Sequence, residues 1–99
     1  MSAQMLQGPD RDPALADLAG RGWTHHGPRD AISKTFTITA FYAAYGWMPR
    51  VAMVAEQINH HPEWSNVYKT VEVTLTTHDV DGLSNLDVTM AEKMDHLAG

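Results

Sequence analysis

The chain contains no cysteine, so it can build neither a disulfide framework nor a thiolate metal site, and a reducing cytoplasm is the expected compartment. Basic residues are scarce: seven Lys and Arg stand against twelve Asp and Glu, a formal net charge of −5 with histidine neutral. A field of that sign does not draw the molecule to phosphate backbones or anionic lipid, which disfavours direct nucleic-acid and membrane binding. Long hydrophobic runs are missing too. The longest uncharged interval, Thr35 to Pro49, carries three Thr, a Gly and two Tyr and is too short to span a bilayer. The opening "MSAQMLQGPDRDP" has no basic stretch followed by an apolar one, so no export signal is read there. There is no glycine-rich phosphate loop, serine-nucleophile motif or thiol, and nucleotide and covalent chemistry therefore lack support.

What is present suits one small core. Over 99 residues, a loosely ordered lead-in at residues 1–12 and a single domain at 13–99 are expected. "DPALADLAGRG" reads as a short helix with Asp12 as N-cap, Pro13 in the first turn and a stop at Gly20 or Gly22. "GWTHHG" and "PRDAISKTFTIT" read as two strands about a Gly-Pro-Arg-Asp turn. Ile32, Lys34, Phe36 and Ile38 share one face, with Lys34 reaching for an edge. From Ala40 to about Asn59 the period turns helical: Phe41, Tyr45, Met48, Ala52 and Ala55 form one stripe, and Trp47, Val51, Val54 and Ile58 an adjoining one. Pro49 inside this run predicts a kink near Gly46 or a restarted helix.

After Pro62, "SNVYKTVEVTLTTH" alternates again, with a bend or division at Tyr68–Lys69–Thr70; "DVDGL" turns, and Ser84 caps a last helix bearing Leu86, Met90 and Met94 on one side. The sum is α+β: a two-layer sandwich of a four-stranded antiparallel sheet with three helices on one face, in the order α-β-β-α-β-β-α.

The chemistry gathers in "INHHPEWSNVY". Pro62 biases His61 away from helix, so the main helix ends near Asn59 or His60 and delivers two imidazoles to the turn beyond it. There the helix dipole favours a protonated ring, and Glu56, one turn upstream of His60, adds to it. "TTHD" places Thr77 and His78 at a strand exit, and Asp87 falls in the first turn of the final helix. Residue types alone leave two readings open: a proton-transfer site at one rim of the sheet, or histidines that merely cap a helix and end a strand. A zinc site at His60, His61 and His78 is disfavoured because adjacent histidines diverge, and "DVDG" lacks the alternating ligands of a calcium loop. His25 and His26 read as exposed strand-end residues.

"AEQINHHPEWSNVY" followed by "VEVTLTTHDVDGLSNLD", with "RDAISKTF" and "GWMPRVA" upstream, closely resembles the pterin-4a-carbinolamine dehydratases. Departures lie at Pro49, Ser65 and Lys69. The resemblance implies dehydration of a 4a-hydroxytetrahydropterin to a quinonoid dihydropterin, downstream of an aromatic amino-acid hydroxylase. No metal or cofactor is implied, since the pterin is the substrate. It also implies His60, His61 and His78 as the acid/base set, Glu56, Pro62, Thr77 and Asp87 as binding or orienting groups, and Trp64 as a pocket wall. A homodimer or homotetramer follows from it as well, for which "SNVYKTVEVTLTT" offers an edge strand. The alternative is a non-catalytic pterin-binding or dimerisation scaffold that assists transcription.

Overall fold

The computed structural model describes residues 2–99. Helix α1 (Arg11–Gly20) leads through β1 (Thr24–His26) and β2 (Ala31–Thr37) to α2 (Phe41–Ile58), then β3 (Glu63–Val67), β4 (Thr70–Leu75) and α3 (Asn85–Ala98). The α+β order expected from the sequence is observed. All pairings are antiparallel and the strand order is β1-β2-β4-β3.

Alternation decides which face of the sheet is covered. Ile32, Phe36, Val71, Val73 and Leu75 are buried in one cluster with Leu18, Trp47, Val51, Met90 and Met94 of the helices. Register brings Ile32 opposite Leu75 and Phe36 opposite Val71, so these side chains share one face. The intervening Thr35 and Glu72 are exposed on the other. Phe36 sits at the centre, its ring 4.6 Å from Trp47 and 5.8 Å from Trp23. Lys34 does not run to an edge. It stays under the helices, where Nζ donates to Asp95 Oδ1 (2.6 Å) and the Arg21 carbonyl (2.7 Å), while its charge lies 4.8 Å from the Phe36 ring.

Several local expectations are corrected. Helix α1 begins at Arg11, behind a 3-10 turn at Gly8–Asp10, so Asp12 lies inside the helix rather than capping it. In the stretch ahead of it, Leu6 N–H donates to the Leu83 carbonyl and Asn85 N–H to Gln4, joining these residues to the start of α3. Helix α2 does not restart at Pro49 but runs on as one helix. Its buried stripe is Ala44, Trp47, Val51 and Ala55, leaving Phe41, Tyr42, Tyr45 and Met53 exposed. "SNVYKTVEVTLTT" divides where expected, at a turn at Tyr68 with φ at +54°, but it is not an unpaired edge throughout: β4 lies inside the sheet, and β3 forms one edge with β1 at the other. No helix among the described residues is long and apolar enough to cross a membrane.

Candidate active site

Helix α2 ends in a left-handed Asn59 (φ 54°, ψ 48°). Asn59 N–H donates to the Glu56 carbonyl (3.3 Å) and His60 N–H to that of Ala55 (3.0 Å), the paired bonds of a Schellman cap. The reversal turns His60 inward, where it is only 8% exposed, and leaves His61 outside. The two adjacent rings therefore part company at the backbone.

His60 meets a carboxylate that the last helix has brought in. Ser84 caps α3, and Asp87 closes a capping box by accepting from Ser84 N–H (2.9 Å). Asp87 has no exposed surface, yet every polar atom around it is satisfied: Oδ1 takes His60 Nε2 at 2.6 Å, and Oδ2 also takes the Thr77 hydroxyl at 2.7 Å. The Thr77 and Ser84 hydroxyls lie 2.7 Å apart, and Leu86 N–H donates to Ser84 Oγ (3.1 Å). No described buried side-chain nitrogen or oxygen is left without a partner. A carboxylate that accepts at both oxygens requires His60 Nε2 to carry the proton, which makes Nδ1 the nitrogen free to exchange one.

His78 comes from the opposite side. The Thr77 and Gly82 backbones exchange hydrogen bonds of 2.8 and 3.2 Å around a 3-10 turn at His78–Val80. Gly82 is required there: a Cβ would stand 2.5 Å from Asp30 Oδ2. Asp30 anchors the turn by accepting from Leu83 N–H (3.1 Å) and from Arg11 at 2.6 and 3.1 Å. That guanidinium, with His25 and the Leu83 amide, holds the Asp30 carboxyl well below the usual carboxylate range.

His60, His61, Pro62, Thr77, His78 and Leu86 line one cleft of about 390 Å³ between the end of α2 and the β4–α3 connection. Glu56 is placed otherwise than expected: it accepts from His61 Nε2 (2.8 Å), not from His60, and both side chains are largely in water. Trp64 is no cleft wall. It sits half-buried on the helix face of β3, 6.2 Å from Trp47. His25 and His26 are exposed, bonded to Asp30 and Ser33. Among the described residues, no three His, Asp or Glu side chains are grouped to hold a metal ion. The sequence reading missed Ser84 as a partner of the site, although its spacing to Asp87 announces the capping box. It also missed Asp30, and Glu63, which lines the cleft and accepts from Arg29 at 3.1 and 2.8 Å; nothing in the local pattern marks either.

The arrangement offers imidazoles on both sides of a cleft, one of them held by a buried carboxylate, which suits proton donation and removal on one small molecule. Among proteins similar to this chain, one from Jannaschia sp. (strain CCS1) is 62% identical over 97% of this chain and 98% of its own length. One from Roseobacter denitrificans is 57% identical over the same shares. Both are named as proposed pterin-4-alpha-carbinolamine dehydratases. A Brucella melitensis crystal structure titled transcriptional coactivator/pterin dehydratase superposes with a TM-score of 0.88 at 41% identity, over 97% of this chain and all of its own. A pterin dehydratase-like RuBisCO assembly factor, 20% identical with a TM-score of 0.69, shares the fold. The family model described as pterin 4 alpha carbinolamine dehydratase matches residues 4–97, and the chain belongs to that family.

Proposed function

We propose that this protein dehydrates a 4a-hydroxytetrahydropterin to a quinonoid dihydropterin and water, within the recycling of a pterin spent by an aromatic amino-acid hydroxylase. The step is redox-neutral. A base takes the N5 proton, the freed electron pair forms the C4a–N5 double bond, the C4a–O bond breaks, and an acid protonates the departing hydroxide. One proton is taken and one given, so the protein's proton count is unchanged, and exchange of a proton with solvent returns each group to its starting state.

His60 and His78 are the groups we assign to that exchange. His60 has Asp87 behind Nε2 to stabilise its charged form as a proton arrives. His78 is exposed, lines the same cleft and makes no side-chain hydrogen bond among the described residues, so its ring is free to turn to a substrate. His61, tied to Glu56 in water, orients the pterin at the mouth. Thr77 and Ser84 are positioning residues that act through Asp87.

The observation that supports this best is the His60–Asp87 pair. Its desolvation is costly, and neither cap requires His60: the Schellman bonds end α2, and Ser84 together with Asp87 starts α3. The test is a coupled assay with an aromatic amino-acid hydroxylase and excess tetrahydropterin. Added protein is expected to accelerate carbinolamine loss, and protein treated with a chelator and then freed of it to do so at the same rate. No acceleration at micromolar protein would refute the proposal.

A further inference from the structure

At the pole opposite the cleft, where β2 runs out at Thr37 and α3 ends, lies a separate hollow of about 290 Å³. Helix α2 connects the two places: Ala43, which lines the hollow, and Asn59, which borders the cleft, are roughly 24 Å apart along its axis. Phe36 and Trp47, both buried, make the inner wall, and Ile38, Ala43 and Leu97 the sides. The Trp47 indole N–H is already given to the Met94 carbonyl (3.2 Å), so that ring offers the hollow only apolar surface. Arg50 stands exposed at the rim, two turns beyond Ala43 on the same face of α2. Of the four arginines in the chain, Arg11, Arg21 and Arg29 each hold a carboxylate, whereas Arg50 makes no ion pair among the described residues. Its one side-chain hydrogen bond there is long, from Nε to the Gly46 carbonyl at 3.4 Å. That bond draws the side chain back along α2 toward the hollow and leaves both terminal nitrogens without a partner.

We propose that this hollow is a second ligand site, which takes a small apolar monocarboxylate bearing one ring, the ring against Phe36 and Trp47 and the carboxylate on Arg50. The inference is independent of the dehydratase reading, since it uses no residue of the cleft. Each half of such a ligand answers one feature of the hollow. A ring covers apolar wall that otherwise faces water, and meets the two buried rings in the kind of tilted contact they make with each other. A carboxylate gives the guanidinium a planar, two-point acceptor. Charge narrows the class further. The chain is acidic, at −5, and α3 brings the negative end of its dipole to the Leu97 side. A phosphate ester would therefore meet one cation in unfavourable surroundings, whereas a single carboxylate is matched by Arg50. Size excludes a nucleotide, because the volume lies at the lower end for ligand pockets.

The test is titration of nitrogen-15-labelled protein with 3-phenylpropanoate, followed by NMR at constant pH. Shifts are expected at the Trp47 indole N–H and at the Leu97 and Ala98 amides, and should saturate at roughly millimolar concentration or below, the affinity open to a ligand of this size. 3-Phenylpropylamine, the same body with the opposite charge, should bind roughly ten-fold more weakly or worse. Arg50→Gln, a change at an exposed position, should weaken 3-phenylpropanoate by roughly ten-fold or more. Ala43→Leu, which fills the hollow and keeps the guanidinium, should weaken it comparably. Shifts that do not saturate, shifts confined to Thr77 and His78 in the cleft, binding of the amine as tight as that of the acid, or undiminished binding by either variant would each overturn the site. Binding is read here without turnover. A protein that fails the coupled assay but binds in this way keeps the second site, and one that turns over the carbinolamine but does not bind loses only that site.

Discussion

Replacing Asp87 by Asn changes one atom in the buried network and separates its two roles. The amide oxygen can still accept from Ser84 N–H and the Thr77 hydroxyl, now at 2.9 and 2.7 Å. The amide nitrogen must then face His60 Nε2, 2.6 Å away, and that ring has to move its proton to Nδ1 to accept the bond. A hydrogen bond to a charged partner is thereby exchanged for a neutral one. The difference is about 1–2 kcal/mol in stability, a fall in Tm of roughly 5–15 °C for a domain of this size. Activity should suffer more, because the nitrogen that exchanged protons no longer does so. A loss of roughly 10²-fold or greater in kcat is expected, within the range of general acid–base effects. Thr77→Val is the control: it removes a hydrogen bond to Asp87 Oδ2 but leaves the His60 contact, so about 1 kcal/mol of stability goes with no more than a several-fold loss of turnover. Nitrogen-15 NMR of the His60 ring should report protonated Nε2 in wild type and protonated Nδ1 in Asp87→Asn. A folded Asp87→Asn protein that keeps turnover within about three-fold of wild type, well short of a general acid–base effect, would refute the role given to the carboxylate.

His78→Ala is expected to lower kcat by roughly 10²- to 10⁴-fold, whereas His61→Ala should act mainly on KM; steady-state kinetics of the two variants would expose an inverted order. Asp30, whose carboxyl is depressed in the folded state, stabilises the protein fully above its ordinary value of 3.8 and loses that contribution progressively as pH falls from there through its lower folded value. Urea titrations of wild type and Asp30→Asn should accordingly differ by about 1–2 kcal/mol at pH 7 and converge in acid, and a gap that stays constant would count against the Arg11 pairing. The exposed Phe41, Tyr42, Tyr45 and Met53 on α2 and the open edge of β3 favour self-association, so light scattering over a dilution series should give a mass two or four times 11.0 kDa. A mass that stays at one chain throughout would exclude it.

Local rules carried the sequence reading a long way. The alternation through Ile32, Lys34 and Phe36 announces a one-sided strand, Pro62 ends the long helix, and Ser84 starts the last. Failures begin where a choice depends on a partner distant in sequence. Two stripes of α2 are nearly equal in apolar character, and only the sheet's position decides that Trp47 is buried and Tyr45 is not. Pro49 lies on the exposed side of α2, and the helix passes through it. Within the site, helical spacing assigned Glu56 to His60. The left-handed Asn59 instead turns His60 away to Asp87, 27 residues on, and leaves Glu56 to His61. Trp64 was misplaced for a related reason: register puts it opposite Val73, on the helix face of β3.

The central claim is that two imidazoles, one of them held by Asp87, move the protons of the dehydration. It is tested most directly by stopped-flow absorbance of a 4a-hydroxytetrahydropterin generated in a hydroxylase burst and mixed with excess protein. The account predicts fast decay with wild type, decay at the uncatalysed rate with the His60→Ala/His78→Ala protein, and retained folding of that protein by circular dichroism. Fast decay with the folded double variant would contradict it.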